Sequence, residues 1–378
     1  MTLLEVKDLH VSFPTADGLV QAVRGVSFDV EPGRTLGIVG ESGSGKTVLT
    51  QTLLGLTPGA EVEGRALFEG KDLLGLTEDE LRHVRGAQIS VIFQDPLTSL
   101  HPLYRIGWQI SEMIRAHEKS VSKKEAAARA VELLRRVGIP RPETRVNDYP
   151  HQFSGGMRQR AMIAMALALE PKLIIADEPT TALDATVQAQ ILDLLLRLQQ
   201  DSGTALLMIT HDLGVVADIA DDVMVMYAGR AAEKAPKRDI FYEPHHPYTK
   251  GLLESIPSSK AAGDRLKPIP GQPPSLINLP SGCKFHPRCG YVFDKCLTDE
   301  PVLHPVAEHG AHTSACWLPA SAAGLSAAAE ELREQVVQAE RGAEAAGVAA
   351  AALAELGVSG DGDTVAGETS ADNEGSVA

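Results

Sequence analysis

Three short stretches carry the residue types that do chemistry. Gly40–Thr47 reads GESGSGKT, Phe153–Arg160 reads FSGGMRQR, and Leu173–Thr180 reads LIIADEPT. In the first, Gly40, Gly43 and Gly45 let backbone N–H groups turn inward around anionic oxygens. Glu41, Ser42, Ser44 and Val48 complete the loop and the start of the helix after it. That helix adds the positive end of its dipole. Lys46 is placed to reach β- and γ-phosphates as a point charge, and the Thr47 hydroxyl to ligate Mg²⁺. The alternative is a chance glycine turn, which the complete G-x-x-x-x-G-K-T spacing after an apolar strand disfavours.

LIIADE sets Asp177 and Glu178 at the carboxyl end of a buried strand, where ligands sit in open α/β sheets. Asp177 is expected to hold Mg²⁺, directly or through water, and Glu178 to polarise an attacking water as general base. A pair of solvated acids is the alternative when the motif stands alone. Gln94 ends another strand, ISVIFQ, and can ligate Mg²⁺ or position water without adding charge; a surface glutamine is its plainer reading. His211, after LLMIT, is placed to contact a γ-phosphate, or else caps a helix. Ser154 is a good N-cap, and Gly155 and Gly156 expose helix N-terminal N–H groups to an anion. This is a second phosphate site, which one nucleotide on one chain does not need. It is therefore expected to complete the pocket of a partner domain. Arg158 and Arg160 read as solvated helix residues.

The elements that must position these groups alternate. Leu4–Val11 and Val20–Val30 have the period of half-buried strands. Apolar runs at Arg34–Gly40, Ile89–Gln94, Leu173–Ala176, Ala205–Thr210 and Val223–Ala228 read as buried strands with helices between them, which predicts a mostly parallel sheet. Residues 96–170 are helical in pattern, an insertion in that alternation; Ile106–His117, Lys123–Val137 and a helix opening at Ser154 are its parts.

Net charge is −15 over 378 residues, and residues 321–378 alone hold eleven acids against two bases. A sequence-neutral nucleic-acid binder needs a basic surface, so no nucleic-acid partner is expected. No apolar run approaches the roughly 18–20 residues of a membrane span, and the N-terminus lacks the pattern of a signal peptide. A cytoplasmic protein is expected, docked on separate membrane subunits if it serves a membrane process.

In order along the chain, the phosphate loop, Gln94, SGG, Asp177–Glu178, the TALD turn Thr181–Asp184 and His211 resemble the ATP-binding cassette (ABC) family of nucleotide-binding domains over about residues 1–235. The resemblance implies an α/β P-loop NTPase fold: a core α/β lobe, an antiparallel β-lobe, and an inserted helical lobe that carries SGG. It implies ATP and Mg²⁺ as ligands, Phe13 stacked on adenine (or, more plainly, a strand-end core phenylalanine), and Asp184 in a turn that crosses a dimer interface. Met157 stands where the common signature has Gln, a form similar to that of peptide-importer subunits. Residues 236–317, with FYEPHHPYTKGLLESIP and IPGQPPSLINLPSGCKFHPRC, resemble the extension of oligopeptide, dipeptide and nickel importer ATPases. That implies a peripheral ATPase on the cytoplasmic face of the membrane. Its partners would be a second ATPase subunit (a paralogue rather than an identical copy), two permeases and an extracytoplasmic solute-binding protein. Peptide is the implied cargo, with nickel or another small solute as the alternative. A soluble cassette acting on nucleic acid or ribosomes is the rival from another class.

All four cysteines, Cys283, Cys289, Cys296 and Cys316, fall in this extension with spacing C-x5-C-x6-C-x19-C. In a reducing compartment they read as ligands rather than disulfides. Thiolates suit zinc or iron–sulfur clusters, and an unliganded set is also open; the resemblance favours a structural [4Fe–4S] cluster. His286, His304, His309 and His312 are alternative ligands, or surface histidines. Ser321–Leu356 reads as a loose helix and Gly357–Ala378 as disordered.

Overall fold

Buried parallel strands have no polar face, because helices cover both sides. TLGIV, LIIAD and ALLMIT obey that rule: every residue of these three strands is buried. A computed structural model of the chain describes residues 2–181, 183–255, 268–306 and 310–319. The strands in chain order are β1 (Leu4–Thr15), β2 (Gly18–Val30), β3 (Thr35–Val39), β4 (Glu61–Phe68), β5 (Lys71–Asp72), β6 (Ile89–Ile92), β7 (Leu173–Asp177), β8 (Ala205–Thr210), β9 (Asp222–Tyr227), β10 (Arg230–Pro236), β11 (His304–Pro305) and β12 (Thr313–Ser314).

An antiparallel sheet has the order β2-β1-β4-β5, and a larger mixed sheet the order β11-β12-β10-β9-β3-β8-β7-β6. Within the second, β9, β3, β8, β7 and β6 are parallel neighbours. The strands β10, β12 and β11 extend it antiparallel at one edge. The alternation of β1 breaks at Asp8, whose φ is +45°, where the pairing with β2 slips between Val6 and Leu9. An extra residue in one strand is a bulge, which bends and twists the sheet locally.

Between β6 and β7 the chain runs through helices Pro96–Ser99, Ile106–His117, Lys123–Arg136, Pro142–Arg145 and Gly155–Ala166. This is the expected helical insertion. Ile106, Ile110 and Ile114 recur every fourth residue, and all three are fully buried against Ala126, Ala130, Leu134 and the helix Gly155–Ala166. Each such side chain contributes about 1.5–3 kcal/mol by leaving water. Arg158 and Arg160 depart from the solvated reading. The Arg158 Nε donates to Pro150 O at 2.8 Å and the Arg160 Nη1 to Val137 O at 2.7 Å. Both tie the SGG helix to its neighbours.

After β10, helices Lys237–Tyr242 and Pro247–Glu254 precede the cysteine segment, which returns to the large sheet through β12. Glu233 of β10, fully buried, accepts from His312 Nε2 at 2.6 Å and from the backbone N–H groups of His245 (2.6 Å) and His246 (3.0 Å). His312 is thus a buried partner of a carboxylate. The acidic tail, residues 321–378, and His309 lie outside the described residues.

Candidate active site

Gly40, Gln94, Asp177 and His211 all sit at or just past the carboxyl ends of the parallel strands β3, β6, β7 and β8, so strand order alone gathers them. The phosphate loop joins β3 to the helix Lys46–Leu53. That helix begins at Gly45 with no side-chain cap and no acid in its first turn. Its leading N–H groups therefore have no side-chain acceptor, the arrangement that binds an anion. Gly45 has φ +100°, and a Cβ there would lie 2.2 Å from Ala22 O; only glycine fits. Inside the loop the Ser44 hydroxyl is buried without a hydrogen-bond partner.

Lys46 is buried, its Nζ donating to Gly40 O at 2.7 Å and Glu41 O at 3.0 Å. Burial lowers its pKa, while the charges of Glu178, Asp177 and Glu41 pull the other way. The Thr47 hydroxyl donates to Asp177 Oδ1 at 3.1 Å. Burial raises the Asp177 pKa and the Glu178 charge adds to the rise, against the Thr47 bond, which lowers it. Desolvated anions of this kind gain when a cation arrives. One carboxylate, one hydroxyl and incoming phosphate oxygens are the donors Mg²⁺ accepts; Thr47 and Asp177 fit it.

Glu178 is the most constrained residue of the site. Its φ is +46°, a conformation that costs a residue with a side chain about 1–3 kcal/mol. The strain turns its carboxylate off the end of β7 while its N–H still bonds Ile209 O at 2.9 Å. Three groups meet at Oε2: Gln94 Nε2 at 3.2 Å, the Thr181 hydroxyl at 3.0 Å and His211 Nδ1 at 3.3 Å. A cleft of about 620 Å³ holds Glu41–Val48, Gln94, Glu178, His211 and Phe13 in its wall. That volume suits a nucleotide-sized ligand.

Ser154 and Asp184 stand elsewhere. Ser154 Oγ accepts from Met157 N–H at 3.3 Å and so caps the exposed start of the SGG helix. Asp184 caps the helix Ala185–Ser202 by accepting from Val187 N–H at 3.0 Å. The two turns are neighbours: a Cβ on Gly156 would lie 2.9 Å from Val187 Cγ1, and one on Gly155 would lie 3.9 Å from Leu183 Cδ2. Neither turn lines the cleft of its own chain.

Thr181, Tyr248, Leu276 and Arg288 join the site without a motif that marks their roles. Thr181 stands in the TALD turn, the one sequence signal among them. The other three reach the phosphate loop and the cleft from the C-terminal segment, a pairing between distant parts of the chain that local spacing does not report.

The four cysteines all lie within the described residues. All four thiols are free, and among the described residues no group of three or more His, Cys, Asp or Glu side chains is arranged to hold a metal ion. The four do share one neighbourhood. Cys283 N–H bonds Cys296 O at 2.9 Å, and burial followed by the neighbouring thiols raises the Cys316 pKa to about 11. Burial raises Cys283 and Cys289 in the same direction. His286 and His304 spend Nδ1 on the carbonyls of Cys283 and Val302, and His312 spends Nε2 on Glu233.

A parallel sheet with a phosphate loop, an adjoining Asp–Glu pair and an inserted helical lobe defines an ATP-hydrolysing cassette. Residues 23–181 match the ABC transporter family, and residues 232–296 match the C-terminal region of oligopeptide/dipeptide transporters. The oligopeptide transport ATP-binding protein OppD of Bacillus subtilis is 54% identical over 320 residues, 84% of this chain and 88% of that one. The dipeptide transport ATP-binding protein DppD of Lactococcus lactis is 53% identical over 318 residues, 84% and 90% of the two chains. Among solved structures, the dimeric post-hydrolysis state of the ATP-binding cassette MJ0796 bound to ADP and Pi superposes with TM-score 0.56 at 28% identity, covering 62% of this chain and 98% of that one. The chain belongs to the ABC transporter family, among the ATP-binding subunits of its oligopeptide/dipeptide branch.

Proposed function

We propose that this chain energises peptide uptake as a peripheral subunit on the cytoplasmic face of the membrane, hydrolysing ATP between itself and a second ATPase subunit. The single observation that carries the hydrolytic reading is the meeting of Gln94, Thr181 and His211 on Glu178 Oε2 beside the phosphate loop. In this reading the loop N–H groups and Lys46 hold the β- and γ-phosphates. Thr47 and Asp177 bind Mg²⁺, with Gln94 as a further ligand. Glu178 takes a proton from the attacking water, and His211 stands beside the γ-phosphate. Phe13 flanks the base. Mg²⁺ supplies charge neutralisation at the phosphates; positioning supplies most of the rest.

Ser154, Gly155, Gly156 and Asp184 act on the partner's nucleotide. The support is their adjacency to one another, the exposed start of the SGG helix, and the dimeric form of the MJ0796 cassette. The partner is a paralogue in this reading. The peptide assignment is supported by the names of the relatives and by the match over residues 232–296. Boundaries near residues 235 and 320 remain part of the same proposal.

The permeases dock on the helical lobe. An apolar groove of about 310 Å³ between that lobe and the core is lined by Leu54, Leu56, Phe93, Met113, Met162 and Met165. Phe93 is 38% exposed and directly precedes Gln94. An amphipathic helical segment of a permease seated there would move Gln94 as it moves. Among the described residues no helix is long and apolar enough to cross a membrane; in this reading the translocation path is formed by the permeases. The four cysteines are proposed to hold a [4Fe–4S] cluster as a structural staple. Their soft donor set and the Cys283 N–H bond to Cys296 O at 2.9 Å, which brings two of them together, support it, and no step of hydrolysis passes through it.

The deciding experiment deletes the gene and measures uptake of labelled di- and oligopeptides, with affinity capture of the tagged protein from membranes. Loss of peptide uptake, restored by wild-type but not Glu178→Gln protein, together with co-captured permeases, is the expected result. Unchanged peptide uptake with lost nickel uptake would replace the cargo. Capture of nucleic acid in place of permeases would overturn the transport reading.

A further inference from the structure

Residues 268–289 lie against the nucleotide cleft. Leu276 forms part of its wall, and the Leu276 carbonyl accepts from Gln21 N–H at 3.2 Å. At the end of the same stretch Arg288 makes a two-pronged pair with Glu41, the second residue of the phosphate loop. Nη1 lies 2.6 Å from Oε2 and Nη2 lies 3.0 Å from Oε1. The Arg288 side chain is 4% exposed and that of Glu41 28%. Arg288 is itself anchored: Nε donates to Pro270 O at 2.9 Å, and Nη1 stands 3.4 Å from the Tyr227 hydroxyl. The backbone of Glu41 is held at both ends, its N–H donating to Tyr248 Oη at 2.8 Å and its carbonyl accepting from Lys46 Nζ at 3.0 Å.

Glu41 poses a chemical problem. It puts a carboxylate into a loop whose ligand is a polyanion. Unpaired, it would repel the phosphates and draw on the same Lys46 ammonium they require. A bidentate guanidinium removes both effects, because it cancels the charge and fixes the carboxylate's direction in one plane. Since the pair is largely out of water, losing Arg288 leaves a charge that solvent only partly compensates.

We propose that Arg288 is a positioning residue of the nucleotide site: it neutralises and holds Glu41, so that the phosphate loop accepts a triphosphate, and the C-terminal segment thereby sets nucleotide affinity. The proposal rests on the reading of the cleft as the ATP site.

The test titrates the purified full chain with a fluorescent ATP analogue in the presence of Mg²⁺ and records the thermal midpoint without nucleotide. Arg288→Ala is expected to weaken binding about tenfold or more. Adding Glu41→Gln to Arg288→Ala should recover most of that loss while the thermal midpoint stays low. A segment that only staples the fold predicts no such recovery. Binding by Arg288→Ala/Glu41→Gln as weak as by Arg288→Ala overturns the proposal, and so does wild-type affinity in Arg288→Ala. Where Arg288→Ala does not fold, Arg288→Gln replaces it. Glu41→Asp, which keeps the charge but withdraws it from the fork, should also weaken binding, and an unchanged affinity there counts against the proposal. Lys46→Ala separates the two levels. If it binds nucleotide like wild type, the reading of the cleft fails; if it loses binding while the Arg288 variants do not, only the role of Arg288 fails.

Discussion

Replacing Glu178 with Gln isolates the charge of one oxygen pair from everything else the site does. The three groups at Oε2, Gln94 at 3.2 Å, Thr181 at 3.0 Å and His211 at 3.3 Å, would meet an amide of the same shape. The backbone bond from residue 178 N–H to Ile209 O at 2.9 Å is untouched, and the φ of +46° is already borne by a residue with a side chain. Stability should therefore change by no more than about 1 kcal/mol. What disappears is a proton acceptor. General-base catalysis contributes about 10²–10⁴-fold, which corresponds to about 3–5 kcal/mol of activation free energy at 1.36 kcal/mol per factor of ten. Nucleotide binding should tighten, because one negative charge beside the phosphates is gone. Steady-state phosphate release by the assembled ATPase pair, equilibrium binding of Mg-nucleotide, and size-exclusion chromatography in ATP measure the three quantities. The expected pattern is a loss of turnover by two to four orders of magnitude with retained binding and an accumulated closed dimer. Turnover within threefold of wild type would refute the role of Glu178 as base, and lost binding would mean that the carboxylate holds the loop rather than the water.

Three further outcomes follow from particular contacts. Gly45→Ala would drive a Cβ to 2.2 Å from Ala22 O at φ +100°, so calorimetry should show a loss of about 2–3 kcal/mol along with lost nucleotide binding. His246 is 3% exposed, and burial depresses its pKa to about 4. The unfolded chain then binds the extra proton between pH 6.5 and 4, so stability is full above that window and falls as pH drops through it, by about 3 kcal/mol in all. His246→Asn keeps a cap for Tyr248 N–H, now made by His246 Nδ1 at 3.0 Å, and should flatten that acid slope in thermal melts. Iron and acid-labile sulfide analysis of anaerobically purified protein should find about four of each per chain if the cysteines hold a cluster. Cys316→Ser should remove the accompanying visible absorbance, and protein free of both elements yet equally stable would exclude it.

The chemistry at the carboxyl edge was readable because each group lies at, or within two residues of, the end of its own strand. Asp177 ends β7, and His211 comes one residue after β8. Local order there dictates spatial order. The helical lobe was readable for a similar reason: Ile106, Ile110 and Ile114 share a face at a spacing only a helix provides. β4 is not legible in the sequence because its first five residues are exposed and one of them is Gly64, so no apolar alternation marks it. β11 and β12 are two residues each, below the length at which any period exists. Arg288 and Glu41 are separated by 247 positions, and nothing in the composition near either one reports the other.

The short strand β12 has a practical meaning beyond its size. It is the rail that closes the open side of β10, and with it come His312, the side-chain partner of the buried Glu233 carboxylate, and Trp317, whose indole donates to Asp299 O at 3.1 Å. A fragment cut before residue 310 would bare a row of backbone donors and acceptors on β10, and bared rows of that kind recruit other molecules. Such a fragment would be expected to clump on storage even if its phosphate loop were perfect. Where this chain is trimmed for expression therefore decides its colloidal behaviour as well as its catalysis.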